Sequence, residues 1–553
     1  MLFSVLKDGF PQAEKYMKKI LGLWSGHDAS FCVLNDGKIE LHTEAERHLR
    51  VKEPPYDSIK LFFEHHGDVS DIIGLSTCHL DNGIKEHKQS WDKISGIAPL
   101  YVVGHHQAHA SNAFYSSNFK SAIIITIDGG GIEDASGFTT GVTVWKGDDT
   151  KLKAVKYIPL LQINIGGVWS RVTRCVFGYE SGYPYGNQCG TTMALAALAK
   201  NPEKYLKDFR SFMTNNLAKT VARAPGHITG MSVKDPREPR HPFLGKWRDI
   251  AQNDEQAKFD MAGALQMVTQ ELILDIVGDA VQELRIGNIC ISGGVALNSV
   301  AMGMLSNMYD VYIPPVPYDA GLTIGSAQHT WHHVLGNQRV DWNKNASSYL
   351  GKSYSRKQVL DALESCPQAV VENSDDNFVI ELLSNGAIIS VFNERAESGR
   401  RALGNRSIIA DPRNPQMKDM INQKVKHRQS FRPFAPSILY EHVREWFQVY
   451  SDVESPYMNF VLPFKDEVKS KVPAVVHFDG TGRLQTVRKE DNEWYHAFLT
   501  KWYQRTGVPI LLNTSFNDRE PIVEEPVHAI NCFMKTQIDY LYFPEHKLLV
   551  KKR

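Results

Sequence analysis

The run Gly104-His105-His106-Gln107-Ala108-His109 sets two imidazoles four residues apart. On a helix that spacing puts His105 and His109 on one face, a turn apart, where they can chelate one divalent ion. A lone pair at this spacing is more often a coincidence of surface or core. Here two acidic residues stand at loop positions that suit a coordination shell. Asp128 follows the apolar stretch Ser121 to Ile127 and precedes Gly129-Gly130-Gly131, and Asp319 lies in Pro317-Tyr318-Asp319-Ala320-Gly321. Two histidines with carboxylates and water favour iron, manganese or zinc over calcium.

A second group of residues suits phosphate chemistry. Glu397 to Ser407 reads ESGRRALGNRS, and Lys424 to Pro436 reads KVKHRQSFRPFAP. Such a density of cations can form a solvated face or a basic strip. Its interleaving with Gly, Pro and Phe argues for burial instead, and buried guanidinium groups need anionic partners whose oxygens match the arginine fork. Further on, Val508 to Asn517 (VPILLNTSFN) sets short polar donors directly after an apolar strand, as a nucleotide pocket requires.

These groups need elements to position them. The segment KILGLWSGHDASFCVLNDGKIELHTEAE reads as two strands joined by the Asn35-Asp36-Gly37 turn, with a polar loop from Ser25 to Ser30. Ser121 to Ile127 is a continuous apolar strand running into Gly129 and Gly130. Asn288 to Ser292 runs into Gly293-Gly294 and, at Asn298, into a helix. Glycine lets backbone N–H groups approach phosphates closely, which makes Gly129, Gly130, Gly293, Gly294 and Asn298 candidate nucleotide contacts. Three such junctions are similar to the duplicated α/β architecture of the actin, hexokinase and Hsp70 (ASKHA) fold. Ordinary tight turns in an α/β domain are the other reading.

At 553 residues the chain is too long for a single core. Residues 1–19 read as an N-terminal extension, 20–350 as the glycine-loop domain and 351–553 as a second α/β domain, with a polar excursion from Val340 to Gln358 between them. Lys+Arg 62 balance Asp+Glu 62, so no global field favours nucleic acid or a membrane surface, and no run reaches the length of a membrane span. Seven cysteines without a CxxC pair suit a reducing compartment. The expectation is a cytoplasmic protein without a signal peptide; oligomeric state is not legible.

The ordered motifs GHDAS, AERHLRVK, GHHQAHASNAFYSS, ITIDGGG, ISGGVALNS and PYDAGLTIGSA resemble the N-terminal domain of the O-carbamoyltransferases of nodulation-factor and antibiotic biosynthesis. That domain is similar to the tRNA threonylcarbamoyladenosine transferase subunit. The resemblance implies an iron ion held by His105, His109, Asp128 and Asp319, with His106 turned off the metal face. The two cation runs resemble the YrdC-like C-terminal domain of the same enzymes. There the resemblance implies carbamoyl phosphate and ATP, with Mg2+, as ligands of Arg401, Lys426, Arg432, Asn513 and Ser515; Arg428 lies in the same run.

The implied chemistry has two steps. A carbamoyl-adenylate forms in the C-terminal domain, and its carbamoyl group passes to a hydroxyl or amine of a small natural-product acceptor at the metal site. His27 is the candidate base and Lys52 a candidate to offset developing charge; a turn residue satisfied by backbone is the plainer reading of His27. The intermediate is expected to cross a sealed passage bounded by a rigid, apolar domain interface. A tRNA-modifying enzyme and a non-catalytic nucleotide-binding protein are the alternatives.

The chain departs from the family pattern at three places. Arg400 replaces proline, a change expected to be benign. Cys189 to Ala196 (CGTTMALA) loses an acid and a lysine. Asp518-Arg519 is one residue short before Glu520-Pro521.

Overall fold

The computed structural model describes residues 18–553 apart from 79–80, 135, 161, 182–187, 215–241, 341–347 and 451. Most of the expected N-terminal extension and the middle of the Val340 to Gln358 excursion lie outside the described residues.

Two five-stranded sheets repeat one topology. The first has β1 (Lys19–Trp24), β2 (Ser30–Asn35), β3 (Lys38–Glu44), β4 (Ile72–Thr77) and β5 (Leu100–Val102), in the order β3-β2-β1-β4-β5. The second has β6 (Ser121–Ile132), β7 (Thr139–Asp148), β8 (Lys151–Pro159), β9 (Asn288–Ser292) and β10 (Asp310–Tyr312), in the order β8-β7-β6-β9-β10. In each, three antiparallel strands are followed by two parallel ones. This is the duplicated α/β arrangement expected from the glycine junctions. The opening segment holds three strands rather than two, because the polar Ser25–Ser30 loop is itself a turn between β1 and β2.

The apolar run in β6 follows from burial on both faces. Side chains alternate across a strand, and helices cover each side of this sheet, so neither face needs polar residues. Ile123, Ile125 and Ile127 pack with Leu265 and Val268 of the helix Glu255–Leu284. Ile124 and Ala122 pack with Ala110, Ala113 and Phe114 of the helix His105–Tyr115. Each such buried isoleucine contributes about 1.5–3 kcal/mol. A charge at Ile125 would break the sheet-to-helix contact that fixes Asp128 at the strand's end.

The C-terminal part is a nine-stranded mixed sheet. It comprises β11 (Ala369–Asn373), β12 (Ile389–Phe392), β13 (Arg406–Ala410), β14 (Ala435–Leu439), β15 (Phe460–Pro463), β16 (Thr481–Val487), β17 (Ile510–Ser515), β18 (Tyr540–Phe543) and β19 (Leu548–Lys552). Their order is β11-β19-β18-β12-β13-β17-β14-β16-β15. Strand β17 lies between β13 and β14, pairing Asn513 with both Ile409 and Ala435. This register brings the two cation runs, which flank β13 and β14, to either side of Asn513 and Ser515.

Arginines, one of them buried (Arg47), join the two parts. Arg47 donates to the carbonyls of Glu397 and Gly399, and Arg50 to those of Pro521 and Ile522. Arg395 reaches back to the carbonyl of Glu40, and His42 Nδ1 lies 3.1 Å from Ser398 Oγ. The sequence reading expected an apolar interface. This part of it is polar instead, because loop carbonyls from each side need donors once buried, and a guanidinium can serve several at once.

Candidate functional site

The histidine pair and the two acids converge. Their ligand atoms all lie within 4.8 Å of one another. His105 Nε2 and His109 Nε2 are 3.2 Å apart. Asp128 Oδ2 is 3.0 Å from His109 and 3.7 Å from His105, and Asp319 Oδ1 is 3.5 and 3.6 Å from the same two atoms. Ligand atoms about 2.1 Å from a shared ion lie roughly 3.0–3.4 Å apart at octahedral or tetrahedral angles, so these spacings fit a bound divalent cation. Burial alone would lower His109, but its hydrogen bonds to Asp128 and Asp319 outweigh burial and raise it to about 9.

Local structure fixes each member. Glu133 accepts the His106 N–H at 2.6 Å, at the first turn of the His105–Tyr115 helix. His106 Nδ1 lies 2.9 Å from Thr126 Oγ1, and its ring is directed away from the cluster. At Gly131 a Cβ would fall 2.2 Å from the His105 ring, so the third glycine of the run makes room for the imidazole. Asp128 is held by its own loop and a neighbouring one: Gly129 N donates to Oδ1 at 2.5 Å, and Gly294 N to Oδ2 at 3.1 Å.

His27 stands at the mouth of this cluster. Its Nε2 is 3.1 Å from Asp319 Oδ2, and its Nδ1 is 3.1 Å from Asp28 Oδ2. Its side chain is 63% exposed, open to an incoming molecule. The surrounding loops desolvate the ring, yet Asp319 and then Asp28 overcome this and hold it protonated above its usual range. Lys52 lies elsewhere: it lines a separate cavity, where burial lowers its pKa and Glu46, Arg432, Glu53 and Arg400 are its charged neighbours.

That cavity, about 1200 Å³, is formed by both parts of the chain. Arg401, Lys426, Arg428, Arg432, Asn513 and Ser515 line it on the C-terminal side. Gln188, Thr191, Gln266 and Gln270 face them from the N-terminal side, in and near the run that departs from the family pattern. Arg483 of β16 also lines the cavity, its Nε donating to Ser299 Oγ at 3.1 Å. Sequence reasoning missed Arg483: a single cation in an otherwise ordinary strand carries no motif.

Among the described residues, no carboxylate lies within ion-pair distance of Arg401, Arg428, Arg432 or Arg483. Burial lowers all four guanidinium pKa values, and neighbouring arginines add to the effect for Arg401, Arg428 and Arg483. Lys426 differs from these. Its ammonium donates to the carbonyls of Ser515 (2.5 Å) and Asn517 (2.9 Å) and to Asn517 Oδ1 (2.7 Å), which uses all three protons. It secures the Ser515–Asn517 turn. Asn513 likewise spends its amide on Ala402 O, Ser437 Oγ and Gln485 Oε1.

The N-terminal glycine loops do not line this cavity. Gly294 spends its N–H on Asp128, and Asn298 caps the helix Ser299–Ser306 while its amide meets Gln266. Gly129, Gly130, Gly293 and Gly294 thus flank the metal-type cluster. Arg400, expected to be benign, lies between the two sites: it lines the cavity and pairs with Asp28 and Glu53.

The chain thus joins a duplicated α/β domain carrying a histidine–aspartate cluster to a second domain that lines an arginine-rich cavity. Family models described as the carbamoyltransferase N-terminus and C-terminus match residues 92–328 and 380–552, and the chain belongs to the carbamoyltransferase family. It is 31% identical to nodulation protein NolNO of Sinorhizobium fredii over 95% of this chain and 79% of that one. An uncharacterized protein of Synechocystis is 33% identical over 81% of this chain and 76% of its own. Nodulation protein NolO of Bradyrhizobium diazoefficiens is 31% identical over 82% and 79%. Among solved structures, full-length HypF in its phosphate- and nucleotide-bound form aligns with a TM-score of 0.35 at 15% identity, over 58% of this chain and 56% of that one. No helix among the described residues is long and apolar enough to cross a membrane.

Proposed function

We propose that this carbamoyltransferase activates its carbamoyl group with ATP in the C-terminal cavity and delivers it to a small-molecule hydroxyl at the histidine–aspartate cluster. The observation that carries this reading is the set of four half-buried arginines that converge on one cavity and, among the described residues, have no carboxylate partner. Such a set is costly without anions, and the forked guanidinium matches phosphate oxygens. Carbamoyl phosphate and the triphosphate of ATP, with Mg2+, supply those anions. Water cleaves carbamoyl phosphate to carbamate and phosphate. A carbamate oxygen then displaces pyrophosphate from the α-phosphorus of ATP, giving carbamoyl-adenylate.

In the second step an acceptor hydroxyl attacks the carbamoyl carbon and AMP departs. His105, His109, Asp128 and Asp319 would hold a divalent ion, for which the family resemblance points to iron. A bound ion would supply Lewis-acid polarisation of the carbonyl oxygen. His27 faces the same point from the solvent side. With Asp319 neutralised, its imidazole can take the acceptor's proton, and Asp28 then fixes the ring through Nδ1.

The test is pyrophosphate release from ATP, with and without carbamoyl phosphate, followed by a search for a carbamoyl mass increase across a panel of hydroxyl and amine compounds. Release that depends on carbamoyl phosphate supports the reading. Nucleotide binding without release would make the chain a nucleotide-sensing protein, and a strongly salt-dependent association with tRNA would revive a tRNA-modifying role.

A further inference from the structure

We propose that Arg400 holds the phosphate of the acyl-adenylate at the junction between the cavity and the cluster; this rests on the two-site reading above. Arg400 lines the cavity beside Arg401 and Arg432. Its Nη2 is 2.8 Å from Asp28 Oδ1, and its Nη1 is 2.8 Å from Glu53 Oε1. From Asp28 the chain of contacts runs through His27 to Asp319, each step 3.1 Å. The cavity ends at this point, for neither His27 nor any of the four cluster residues lines it. Arg400 therefore forms part of the wall that an intermediate must pass.

The main chain beside it is fixed. Gly399 donates its N–H to Glu44 Oε1 at 2.8 Å and accepts from Arg47 Nη2 at 2.6 Å. Gly399 adopts φ +93°, and a Cβ there would meet the Pro315 carbonyl at 2.5 Å, so the loop is seated against the N-terminal part. The Arg400 guanidinium lies 4.4 Å from the ring centre of Tyr318, the residue before Asp319.

Among the described residues Arg401 and Arg432 have no carboxylate, whereas Arg400 has two, Asp28 and Glu53. A phosphate oxygen would bind through the donor these two leave unused. Its Nε is buried and has no hydrogen-bond partner, a donor left over for an oxyanion. No covalent bond forms or breaks at Arg400. The carbamoyl–oxygen bond of the intermediate breaks later, at the cluster, and its electron pair leaves on AMP. Where the family resemblance leads to proline, which has no donor, this chain carries a five-donor fork.

Arg400→Ala and Arg400→Lys are compared with the full-length wild type by two readouts, after thermal melting shows them folded. ATP–pyrophosphate exchange dependent on carbamoyl phosphate reports the cavity step. Label from carbon-14 carbamoyl phosphate retained with the protein on a filter reports holding of the intermediate. Arg400→Ala should lose retained label by about tenfold more than it loses exchange, the worth of a charge-assisted bond, and Arg400→Lys should recover part of the difference. Equal losses in both readouts, or full retention in Arg400→Ala, would overturn the proposal. Should Arg400→Ala fail to fold, Arg400→Lys decides alone, since it keeps the charge and loses the fork. A wild type without exchange overturns the two-site reading itself, and the junction role with it.

Discussion

The backbone N–H of Gly294 donates to Oδ2 of Asp128 over 3.1 Å, so the loop after β9 aims a carboxylate that belongs to β6. Two adjacent parallel strands thereby preset one corner of the cluster before any ion binds. His105→Ala or His109→Ala should lower affinity for a divalent ion by roughly 100-fold or more, because a first ligand matters at least as much as its supporting shell. Metal content after dialysis measures this. The same variants should lose transfer to an acceptor and keep pyrophosphate release, since the arginine cavity is a separate site. Joint loss of both activities in a folded variant would contradict separate chemistry.

Removal of a cavity cation should give the opposite pattern. Arg432→Ala and Arg483→Ala are expected to slow pyrophosphate release by about 10²–10³, the usual cost of one preorganised electrostatic group. Transfer should survive when preformed carbamoyl-adenylate is supplied. Normal release from Arg483→Ala would remove that residue from the phosphate site.

Lys426 has a different expected phenotype, because its protons are already taken by Ser515 and Asn517. Lys426→Met strands buried carbonyls, which costs about 1–3 kcal/mol apiece. The denaturant midpoint should fall, and activity should fall through a misplaced Ser515–Asn517 turn. A variant as stable as wild type but inactive would instead point to direct contact with substrate.

A pH effect follows from Glu46, which lines the cavity. Burial, and then Glu44, raise its pKa from 4.5 to about 7. Between those values the folded protein binds more protons than the unfolded chain, so stability from this group is full at low pH and is lost as pH rises through 7. Denaturant unfolding of the ligand-free protein between pH 5 and pH 8 should show a downward slope that Glu46→Gln makes shallower. Parallel curves for the two proteins would mean that Glu46 is not protonated in the fold.

The helical spacing of His105 and His109, the glycine ends of β6 and β9, and the two cation runs were all legible because each is local: a few neighbouring positions carry the pattern. What stayed hidden is tertiary. Arg400 and Asp28 are 372 residues apart, so nothing in either segment announces their ion pair. Arg483 sits alone in a strand whose alternation reads as ordinary. Arg47, Arg50 and Arg395 look like surface cations until the carbonyls of the other part of the chain are placed beside them. The glycines were legible as close approaches, but sequence could not say what approaches: at Gly131 it is the ring of His105, and at Gly294 it is Asp128.

The interface suggests that the intermediate is handed over within one molecule. Arg47, Arg50 and Arg395 are bound to carbonyls across the two parts, and the buried Arg47 contact does not open without stranding its donors. A flexible tether alone would give an effective concentration of only about millimolar, little protection for a mixed anhydride against water, whereas a closed route excludes water. His105→Ala should make adenylate without transferring it, and Arg432→Ala should transfer without making it. Mixed at low protein concentration, with ATP, carbamoyl phosphate and an acceptor identified from the panel, the pair should give no more product than either variant alone. The obstacle is retention of the adenylate by the His105→Ala variant and its hydrolysis once released, since the Arg432→Ala variant accepts adenylate supplied from outside. Efficient complementation would show the intermediate crossing through solvent, and the sealed route would have to be abandoned even with both sites intact.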